Sequence, residues 1–251
     1  MKNPNKISIL IATLNAGISI GNLLLSLQSQ TCRDFSLIIA DGGSVDDTEE
    51  IVRKFEFIDC KFIKQQDFGI YHALNLGLEF IDTDYYLVIG ADDILSPNAI
   101  EDYYNVIDSF DVDFVAASFI QDGKVIVPRS NLGWLYGLSG ISSSHAVGTL
   151  IKTNLHKEFG LYSNKLPIAA DQLFIKSALA RRATIHRCHF IAGTYSSGGL
   201  SGTDSIGLLT EFFRVQLITE KYQFLQFLLF TLRIWKFYFF KTLSLLFKKN
   251  V

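Results

Sequence analysis

Short apolar runs alternate with amphipathic stretches along the first half of this 251-residue chain. The apolar runs are continuous, which is typical of strands that are buried on both faces of a sheet. The clearest of them read ISILIAT, FSLIIAD and DYYLVIG. The stretches over 17–30, 44–55 and 69–81 instead repeat their apolar residues at helical spacing. This alternation predicts an α/β fold with a mostly parallel central sheet flanked by helices, and Ser44 as the N-cap of the second helix.

Three of the predicted strands end in polar or acidic side chains. Thr13 and Asn15 follow the first strand, Asp41 ends the second, and the pair Asp92–Asp93 follows the strand DYYLVIG. In open α/β sheets, ligands bind beyond the carboxyl ends of the strands, so these side chains are expected to share one cleft. Because crowded carboxylates are costly without a cation, the sequence indicates a metal–diphosphate site that uses Mg²⁺ or Mn²⁺. A helix cap or turn before Pro97 is the alternative for the acidic pair.

Composition narrows the class of protein. Hydrophobic residues make up 49% of the chain and charged residues 19%, which is enough for a sizeable core. Three cysteines without a CxxC pair disfavour a zinc site or a disulfide framework and fit a reducing cytoplasm. No long apolar segment precedes the first strand, so no secretion signal is expected. The net charge of −2 does not suggest a nucleic-acid binder.

The C-terminal segment is more basic and more aromatic than the rest of the chain. From residue 211 onward it carries seven Lys or Arg and two Glu residues, although the whole chain is slightly acidic. Arg233, Lys236 and Lys241 interrupt its apolar run, which disfavours a membrane-spanning helix. On a helical wheel the polar side chains share one side, as in helices that lie on anionic lipid. A membrane-surface helix is therefore favoured over a helix packed on the body or on a partner chain.

Four motifs occur in a fixed order: ISILIATLN, IIADGGSVDDT, DFGIYHALNLGLEFIDTDYYLVIGADD and AADQLF. Together they resemble family 2 glycosyltransferases with the GT-A fold over roughly residues 6 to 200. The similarity is to the bacterial branch that builds O-antigen, capsule and exopolysaccharide units. The resemblance implies an inverting, metal-dependent transfer of a sugar from a nucleotide-diphosphate donor, with a UDP-sugar favoured. The implied acceptor is a lipid-linked saccharide, such as a sugar on undecaprenyl diphosphate.

The resemblance also implies roles for individual residues. Thr13 and Asn15 would line the nucleotide pocket, Asp41 would bind the base edge, Asp92 would contact the ribose, and Asp93 would coordinate the divalent metal, Mn²⁺ or Mg²⁺. An inverting reaction also needs a base for the acceptor hydroxyl. From the pattern alone, Asp171 in AADQLF is better interpreted as a helix N-cap. The family match reverses that preference and implies that Asp171 is the general base.

Five further residues have no single interpretation. His145 either contacts the acceptor or diphosphate, or is a structural histidine. Asn75 either contacts the donor or bonds a nearby loop. His72 stands where the family often has Asp, which leaves the role of that helix face open. Gly198 and Gly199 belong to a Gly/Ser-rich loop that either closes over a ligand or links to the tail.

The predicted domain organisation is a catalytic domain over 1–205 and an amphipathic tail over 206–251. Within the catalytic domain, 1–120 would bind the nucleotide and 121–205 the acceptor. A peripheral position on the inner face of the cytoplasmic membrane is expected. A processive synthase would need spanning helices and QxxRW, and a dehydrogenase would need GxGxxG; neither motif is present. A non-catalytic sugar-nucleotide-binding or scaffold protein of the same pathway is the alternative from another class.

Overall fold

A computed structural model describes residues 6–55, 60–66, 69–142, 145–196 and 204–248 of the chain, with the backbone alone from residue 243 onward. Its strands are β1 (Ile7–Thr13), β2 (Phe35–Asp41), β3 (Cys60–Lys64), β4 (Tyr85–Val88), β5 (Ile94–Leu95), β6 (Phe114–Gln121), β7 (Lys124–Ile126), β8 (Thr149–Lys152) and β9 (Ile185–Tyr195). They belong to one sheet with the order β3-β2-β1-β4-β8-β6-β9-β5, and β7 pairs with β6 at the side.

Helices cover both faces of this sheet. The α-helices of the described residues are α1 (Ile20–Gln28), α2 (Thr48–Arg53), α3 (Ile70–Leu78), α4 (Ala99–Ser109), α5 (Gly133–Tyr136), α6 (Leu155–Phe159), α7 (Ala170–Ala180), α8 (Ser205–Thr219) and α9 (Gln223–Lys248). Short 3-10 turns occupy Gly137–Gly140 and Ala146–Gly148. The predicted α/β class is therefore confirmed.

The core lies in two layers because successive residues of a strand point to opposite faces of the sheet. Ile9 and Ile11 of β1 are fully buried against a cluster that includes α1 and α4. Leu10, between them, is fully buried on the other face against a cluster that includes α3 and α7. Burial on both faces explains why the apolar runs of these strands are continuous in the sequence.

Strand direction divides the sheet into two parts. The pairs β3–β2, β2–β1 and β1–β4 are parallel, as predicted for the first half of the chain. Beyond β4 the sheet is mixed, because β8 runs antiparallel to both β4 and β6, whereas β6 and β9 are parallel. Apolar runs indicate that a strand is buried, but its direction depends on the connection that precedes it. The loops that follow the parallel strands carry the residues for which the sequence predicts a nucleotide pocket.

The second helix begins later than its sequence pattern predicts. Ser44 is not its N-cap: α2 starts at Thr48, and Asp47 precedes it. The Ser44 hydroxyl instead bonds the Asp41 carboxylate at the end of β2. Ser, like Asp, readily bonds nearby backbone and side-chain groups outside a helix, and here the tertiary partner prevails over the cap.

The helix α3 packs unusually close to the sheet. A Cβ on Gly77 would lie 2.3 Å from the Leu10 Cδ1 atom of β1, so only glycine allows this approach. The close packing sets which face of α3 is buried. Tyr71 and Leu74 are buried, whereas Ile70, the first residue of α3, is 44% exposed.

Helix α8 packs against the body of the protein rather than projecting from it. Val215 and Gln216 are fully buried, and Gln216 donates to the backbone carbonyls of Gly133 and Trp134. The predicted tail was placed from residue 206, within this helix.

Helix α9 turns two of its polar residues toward the body rather than toward solvent. Gln226 is buried and donates to the Trp134 carbonyl, and the Arg233 guanidinium donates to the Leu135 carbonyl. Trp235 is 65% exposed and Phe224 is 76% exposed on the outward side. In the described part of the chain no helix is both long and apolar enough to cross a membrane.

Candidate active site

A cavity of about 620 Å³ opens at the carboxyl ends of β1 and β4. Six of the predicted site residues line it: Thr13, Asn15, Asp92, Asp93, His145 and Asp171. Three others, Asp41, His72 and Asn75, do not line it. The walls combine the strand ends of the parallel part of the sheet with residues from the 3-10 turn Ala146–Gly148, from α7 and from α8. The fold therefore brings together most of the site residues that were predicted from the sequence.

The loops after β1 and β2 are locked together by polar side chains. Thr13 donates to the Asp41 carboxylate over 3.0 Å, and Asn15 accepts from the Val45 N–H over 3.0 Å. The Ser44 hydroxyl accepts from the Asn15 N–H and donates to Asp41. These bonds hold Asn15 at φ 50°, a left-handed conformation that asparagine tolerates. They fix the side of the cavity on which a nucleotide was predicted.

Asp41 is fully buried behind that wall. Its carboxylate accepts from Thr13, from the Ser44 hydroxyl and from the N–H groups of Gly43 and Ser44. These four bonds use the acceptor positions of an ionised carboxylate. The structure thus gives Asp41 a loop-holding role, and contact with a base edge would require it to exchange one of these bonds.

Asp93 is buried beneath the cavity with both carboxylate oxygens bonded to the backbone. One oxygen accepts from the Gly90 N–H over 2.9 Å and the other from the Ser196 N–H over 3.1 Å. A Cβ on Gly90 would lie about 3 Å from carboxylate oxygens of Asp92 and Asp93, so glycine makes room for the pair. Burial raises the pKa of Asp93 to about 7, with a smaller contribution from the Asp92 charge.

The residues present fit a divalent cation that binds together with a diphosphate. Each Asp93 oxygen accepts one backbone bond and keeps lone pairs for a further ligand. The described residues contain no cluster of three or more His, Cys, Asp or Glu side chains that could hold a metal by themselves. Mg²⁺ and similar ions commonly use one or two carboxylates and complete their coordination with phosphate oxygens and water. Asp93, with Asp92 beside it, meets that requirement.

Asp171 lies at the start of α7 and lines the same cavity. Its Oδ1 atom accepts a 2.7 Å hydrogen bond from the Tyr71 hydroxyl of α3. Desolvation raises the pKa of Asp171, the Tyr71 bond opposes that rise, and the Glu211 charge adds to it. Glu211 of α8 also accepts from the N–H groups of Ile168 and Ala169, both over 2.9 Å, just before α7.

His145 is a neutral, half-buried side chain in the cavity wall. Burial lowers its pKa to about 4, and its ring lies 3.9 Å from the Tyr195 ring, centre to centre. Its Nδ1 atom accepts from the Val147 N–H over 3.3 Å, which leaves the proton on Nε2. His145 is therefore suited to donate one hydrogen bond but not to supply a positive charge.

The remaining predicted residues lie elsewhere. Asn75 donates to the Tyr162 carbonyl over 2.8 Å and accepts from the Tyr162 N–H over 2.9 Å, which is the loop-bonding interpretation. His72 is outside the cavity wall. Gly198 and Gly199 lie outside the described residues, so their predicted role is not addressed.

Sequence reasoning missed Tyr71 and Glu211, the two side chains that hold Asp171 and its loop. Tyr71 precedes His72 in the motif GIYHALN. The apolar spacing of this helix favours Ile70 for the buried face, but Tyr71 is buried and Ile70 is exposed. Glu211 was counted with the tail. Its two bonds to the backbone are tertiary contacts, and the sequence contains no local signal for them.

The family model described as "Glycosyl transferase family 2" matches residues 8–160. The "PGL/p-HBAD biosynthesis glycosyltransferase" of Mycobacterium tuberculosis (strain ATCC 25177 / H37Ra) is 28% identical over 216 residues, which cover 78% of this chain and 79% of the relative. Asp171 lies beyond the segment matched by the family model.

Solved structures share the fold at low identity. S. aureus TarS 1–349 in complex with UDP is 18% identical, with a TM-score of 0.66 over 90% of this chain and 69% of that one. The chain covers 41% of the longer TarS structure. Mannosyltransferase PcManGT from Pyrobaculum calidifontis, in complex with GDP-Man and Mn²⁺, is 13% identical, with a TM-score of 0.67 over 88% of this chain and 66% of that one.

These likenesses confirm the GT-A fold that the sequence motifs imply. They also favour an enzyme over the scaffold alternative, because the matched relatives are named glycosyltransferases. Since the family model matches more than half of its residues, the chain belongs to glycosyl transferase family 2 and is a glycosyltransferase.

Proposed function

We propose that this glycosyltransferase inverts the anomeric centre of a sugar that it moves from a nucleotide-diphosphate donor, a UDP-sugar, to a lipid-linked saccharide. The observation that carries the proposal is that Asp93, which follows β4, and Asp171, at the start of α7, line one cavity although they lie far apart in the chain. One carboxylate next to the leaving group and another next to the acceptor is the arrangement that a single displacement requires. The TarS complex with UDP supports the choice of nucleotide.

Each side chain has a separate task in this reaction. Asp171 takes the proton of the acceptor hydroxyl as that oxygen attacks the anomeric carbon, and its raised pKa makes it a better base than an exposed Asp. Asp93, with Asp92 beside it, would hold Mn²⁺ or Mg²⁺, which when bound stabilises charge on the leaving diphosphate. Thr13, Asn15 and Asp92 contact the nucleoside. His145 donates from Nε2 to the diphosphate or to the acceptor.

A lipid-linked acceptor fits the apolar surroundings of Asp171. Ile168, Ile175 and Leu208 line the cavity on that side. The mycobacterial relative is named for PGL/p-HBAD biosynthesis, and another relative is the "Teichoic acid poly(glycerol phosphate) polymerase" of Staphylococcus epidermidis, 33% identical over 107 residues. We therefore assign the acceptor half, over residues 121–205 and α8, to a saccharide of bacterial surface polysaccharide synthesis, on undecaprenyl diphosphate or a similar lipid.

A peripheral position on the inner face of the cytoplasmic membrane fits the outward face of α9. That face presents Phe224, Leu232 and Trp235, all more than half exposed. Beside it, an open groove of about 470 Å³ between α9 and α8 is lined by Arg233, Lys236 and Lys241 together with apolar side chains, and the two lysines are exposed. Aromatic side chains that enter the interface, with cations nearby for anionic headgroups, are features of helices that lie on membranes.

The test is release of UDP or GDP from a panel of UDP-glucose, UDP-galactose, UDP-N-acetylglucosamine and GDP-mannose, with and without Mn²⁺. We expect Mn²⁺-dependent release with one of the UDP-sugars and its loss by more than about 100-fold in Asp93→Ala and in Asp171→Asn. Asp82→Asn, an exposed Asp outside the cavity, serves as the control. Unchanged release in Asp93→Ala would disprove the metal assignment, and unchanged release in Asp171→Asn would disprove the base.

A further inference from the structure

The buried hydroxyl of Tyr71 has two acceptors within reach and a single proton. It lies 2.7 Å from Asp171 Oδ1 and 3.1 Å from the carbonyl oxygen of Ile168, both on the segment that starts α7. Tyr71 is 8% exposed, and burial raises its pKa well above 10, so it stays protonated at any working pH. A hydroxyl with one proton cannot serve both acceptors fully at the same time.

We propose that Tyr71 is a positioning residue for the catalytic base; this inference rests on the proposed role of Asp171. With Asp171 ionised, the hydroxyl donates to Oδ1, because a charged acceptor forms the stronger bond. Oδ2 then receives the proton of the acceptor hydroxyl. Once Asp171 is neutral, Oδ1 is a weaker acceptor, and the Ile168 carbonyl takes a larger share of the same donor. The Tyr71 hydroxyl is satisfied in both states and never loses its own proton.

The two acceptors also fix the geometry of the base. Because Ile168 lies just before the start of α7 and Asp171 lies in its first turn, one hydroxyl ties the carboxylate to the backbone that carries it. Tyr71 itself is held by the ring of Tyr162, 5.6 Å away between centres, and by α3, which packs closely on β1 at Gly77. The base is therefore oriented from the donor half of the chain, although it belongs to the acceptor half.

Other groups around Asp171 set the direction of the expected effect. The N–H of Gln172 at the start of α7 also favours the ionised carboxylate, whereas burial and the Glu211 charge favour the neutral one. Tyr162 contributes no hydrogen bond to Asp171, since its hydroxyl bonds Tyr86 over 2.6 Å. Tyr71 is thus the side chain whose loss removes a donor from Asp171, and that loss raises the pKa of the carboxyl.

The experiment titrates Asp171 directly, without substrate. Infrared difference spectra of the protonated carboxyl band, wild type against Asp171→Asn, identify the Asp171 signal. In Tyr71→Phe we expect the pKa of Asp171 to rise by about one unit. The pH profile for UDP release is measured with the most active UDP-sugar of the panel. The pKa of its acid limb should rise by the same amount. At pH values below this pKa, UDP release by Tyr71→Phe should be about tenfold slower than by the wild type. At high pH, where Asp171 is ionised in both proteins, the two rates should agree.

Matched variants separate this effect from general damage. Tyr86→Phe removes a buried hydroxyl that bonds Tyr162 and His156 but not Asp171, so its Asp171 titration should match the wild type. Tyr71→Met, which also lacks the hydroxyl but fills the space differently, should raise the pKa as Phe does. A titration of Asp171 that is unchanged in both Tyr71 variants overturns the proposal. A raised pKa combined with full activity of Asp171→Asn would instead show that Tyr71 positions a carboxylate that is not the base.

Discussion

Asp93 combines two opposing properties in one side chain. A buried carboxyl with its pKa raised to about 7 is costly to ionise in the folded protein, yet a metal ligand must be ionised. Because the pKa of Asp93 is higher in the folded than in the unfolded protein, its contribution to the free energy of unfolding is favourable at low pH. It is lost as the pH rises through the interval from about 4 to 7, where the unfolded chain releases the proton first. A cation bound at Asp93 removes this cost at higher pH.

From this we predict that UDP with Mn²⁺ stabilises the protein more at pH 8 than at pH 6. Proton release from Asp93 opposes binding below its pKa of about 7, so the rise in Tm should shrink as the pH falls. Mn²⁺ without UDP should change Tm much less, because the described residues provide no closed metal cage. Thermal unfolding at both pH values measures this. An equal shift at pH 6 and pH 8, or an equal shift in Asp93→Asn, would contradict the assignment.

Asn75 illustrates a polar residue whose role is structural. Its amide forms both a donor and an acceptor bond with the backbone of Tyr162, which is 3% exposed. We predict that Asn75→Ala lowers the free energy of unfolding by about 2–4 kcal/mol, because two buried peptide groups lose their partners. Urea unfolding measures the change, and Asn105→Ala, on the exposed face of α4, should have little effect. A loss of donor affinity without a loss of stability would restore the donor-contact interpretation.

At the scale of elements, α8 connects the acceptor side of the cavity to the rest of the body. One Glu211 oxygen accepts from the N–H groups of both Ile168 and Ala169, which immediately precede the helix of Asp171. Lys176 of α7 is buried against α8, where it bonds Gln216 and forms a 2.6 Å ion pair with Glu220. Helices α7 and α8 therefore hold Asp171 and its loop as one unit.

We predict that Glu211→Ala lowers the free energy of unfolding by about 2–4 kcal/mol and reduces UDP release, since two N–H groups near Asp171 are left unsatisfied. Glu211→Gln keeps an oxygen that can accept both bonds and should retain most of the stability. Urea unfolding and UDP release are measured on the same preparations. Equal damage in both variants would show that the negative charge, rather than the two hydrogen bonds, matters at this position.

The elements that could be predicted from the sequence are those with a local signal. β1, β2 and β4 were found because their apolar runs are continuous and end in Thr13, Asp41 and the Asp92–Asp93 pair. The antiparallel direction of β8 was not found, since direction is set by the path of the chain and not by the strand itself. Residues whose partners are distant in sequence, such as Tyr71 and Glu211, carry no local pattern.

Electrostatic and hydrogen-bond context was equally invisible in the sequence. Asp41 and Asp93 look alike as carboxylates at strand ends. Only the fold shows that Asp41 has four internal donors while Asp93 has two and keeps lone pairs available. The helical wheel of the tail separated polar from apolar residues correctly, but it could not show that Gln226 and Arg233 face the body.

At the scale of the whole molecule, the polar residues of α9 attach it to the acceptor half and leave an aromatic face outward. Gln226 and Arg233 bond the carbonyls of Trp134 and Leu135 in α5. A lipid surface under that face would place the membrane beside the half of the protein assigned to the lipid-linked acceptor. The catalytic cavity and the proposed membrane contact are joined through α8, whose Leu208 lines the cavity and whose Leu209 lines the groove at α9.

We predict that the double variant Trp235→Ser/Phe239→Ser binds vesicles of phosphatidylglycerol roughly tenfold more weakly or worse, since two large apolar side chains no longer enter the interface. Vesicle co-sedimentation measures the change. Phe110→Ser, which alters an equally exposed Phe at the end of α4, is the control and should bind as the wild type does. Wild-type binding by the double variant, or dimers that dissociate in that variant, would assign the face to a partner chain instead.

The contacts of α3 limit how such enzymes can be recombined. A chimera that joins the nucleotide-binding half of one enzyme to the acceptor half of another is an obvious route to new glycan linkages. In this protein Asn75 and Tyr71 of the first half hold Tyr162 and Asp171 of the second. Exchanging the halves at residue 120 would separate both pairs. A working hybrid therefore needs α3 to travel with the acceptor half, or both pairs to be matched in the two parents.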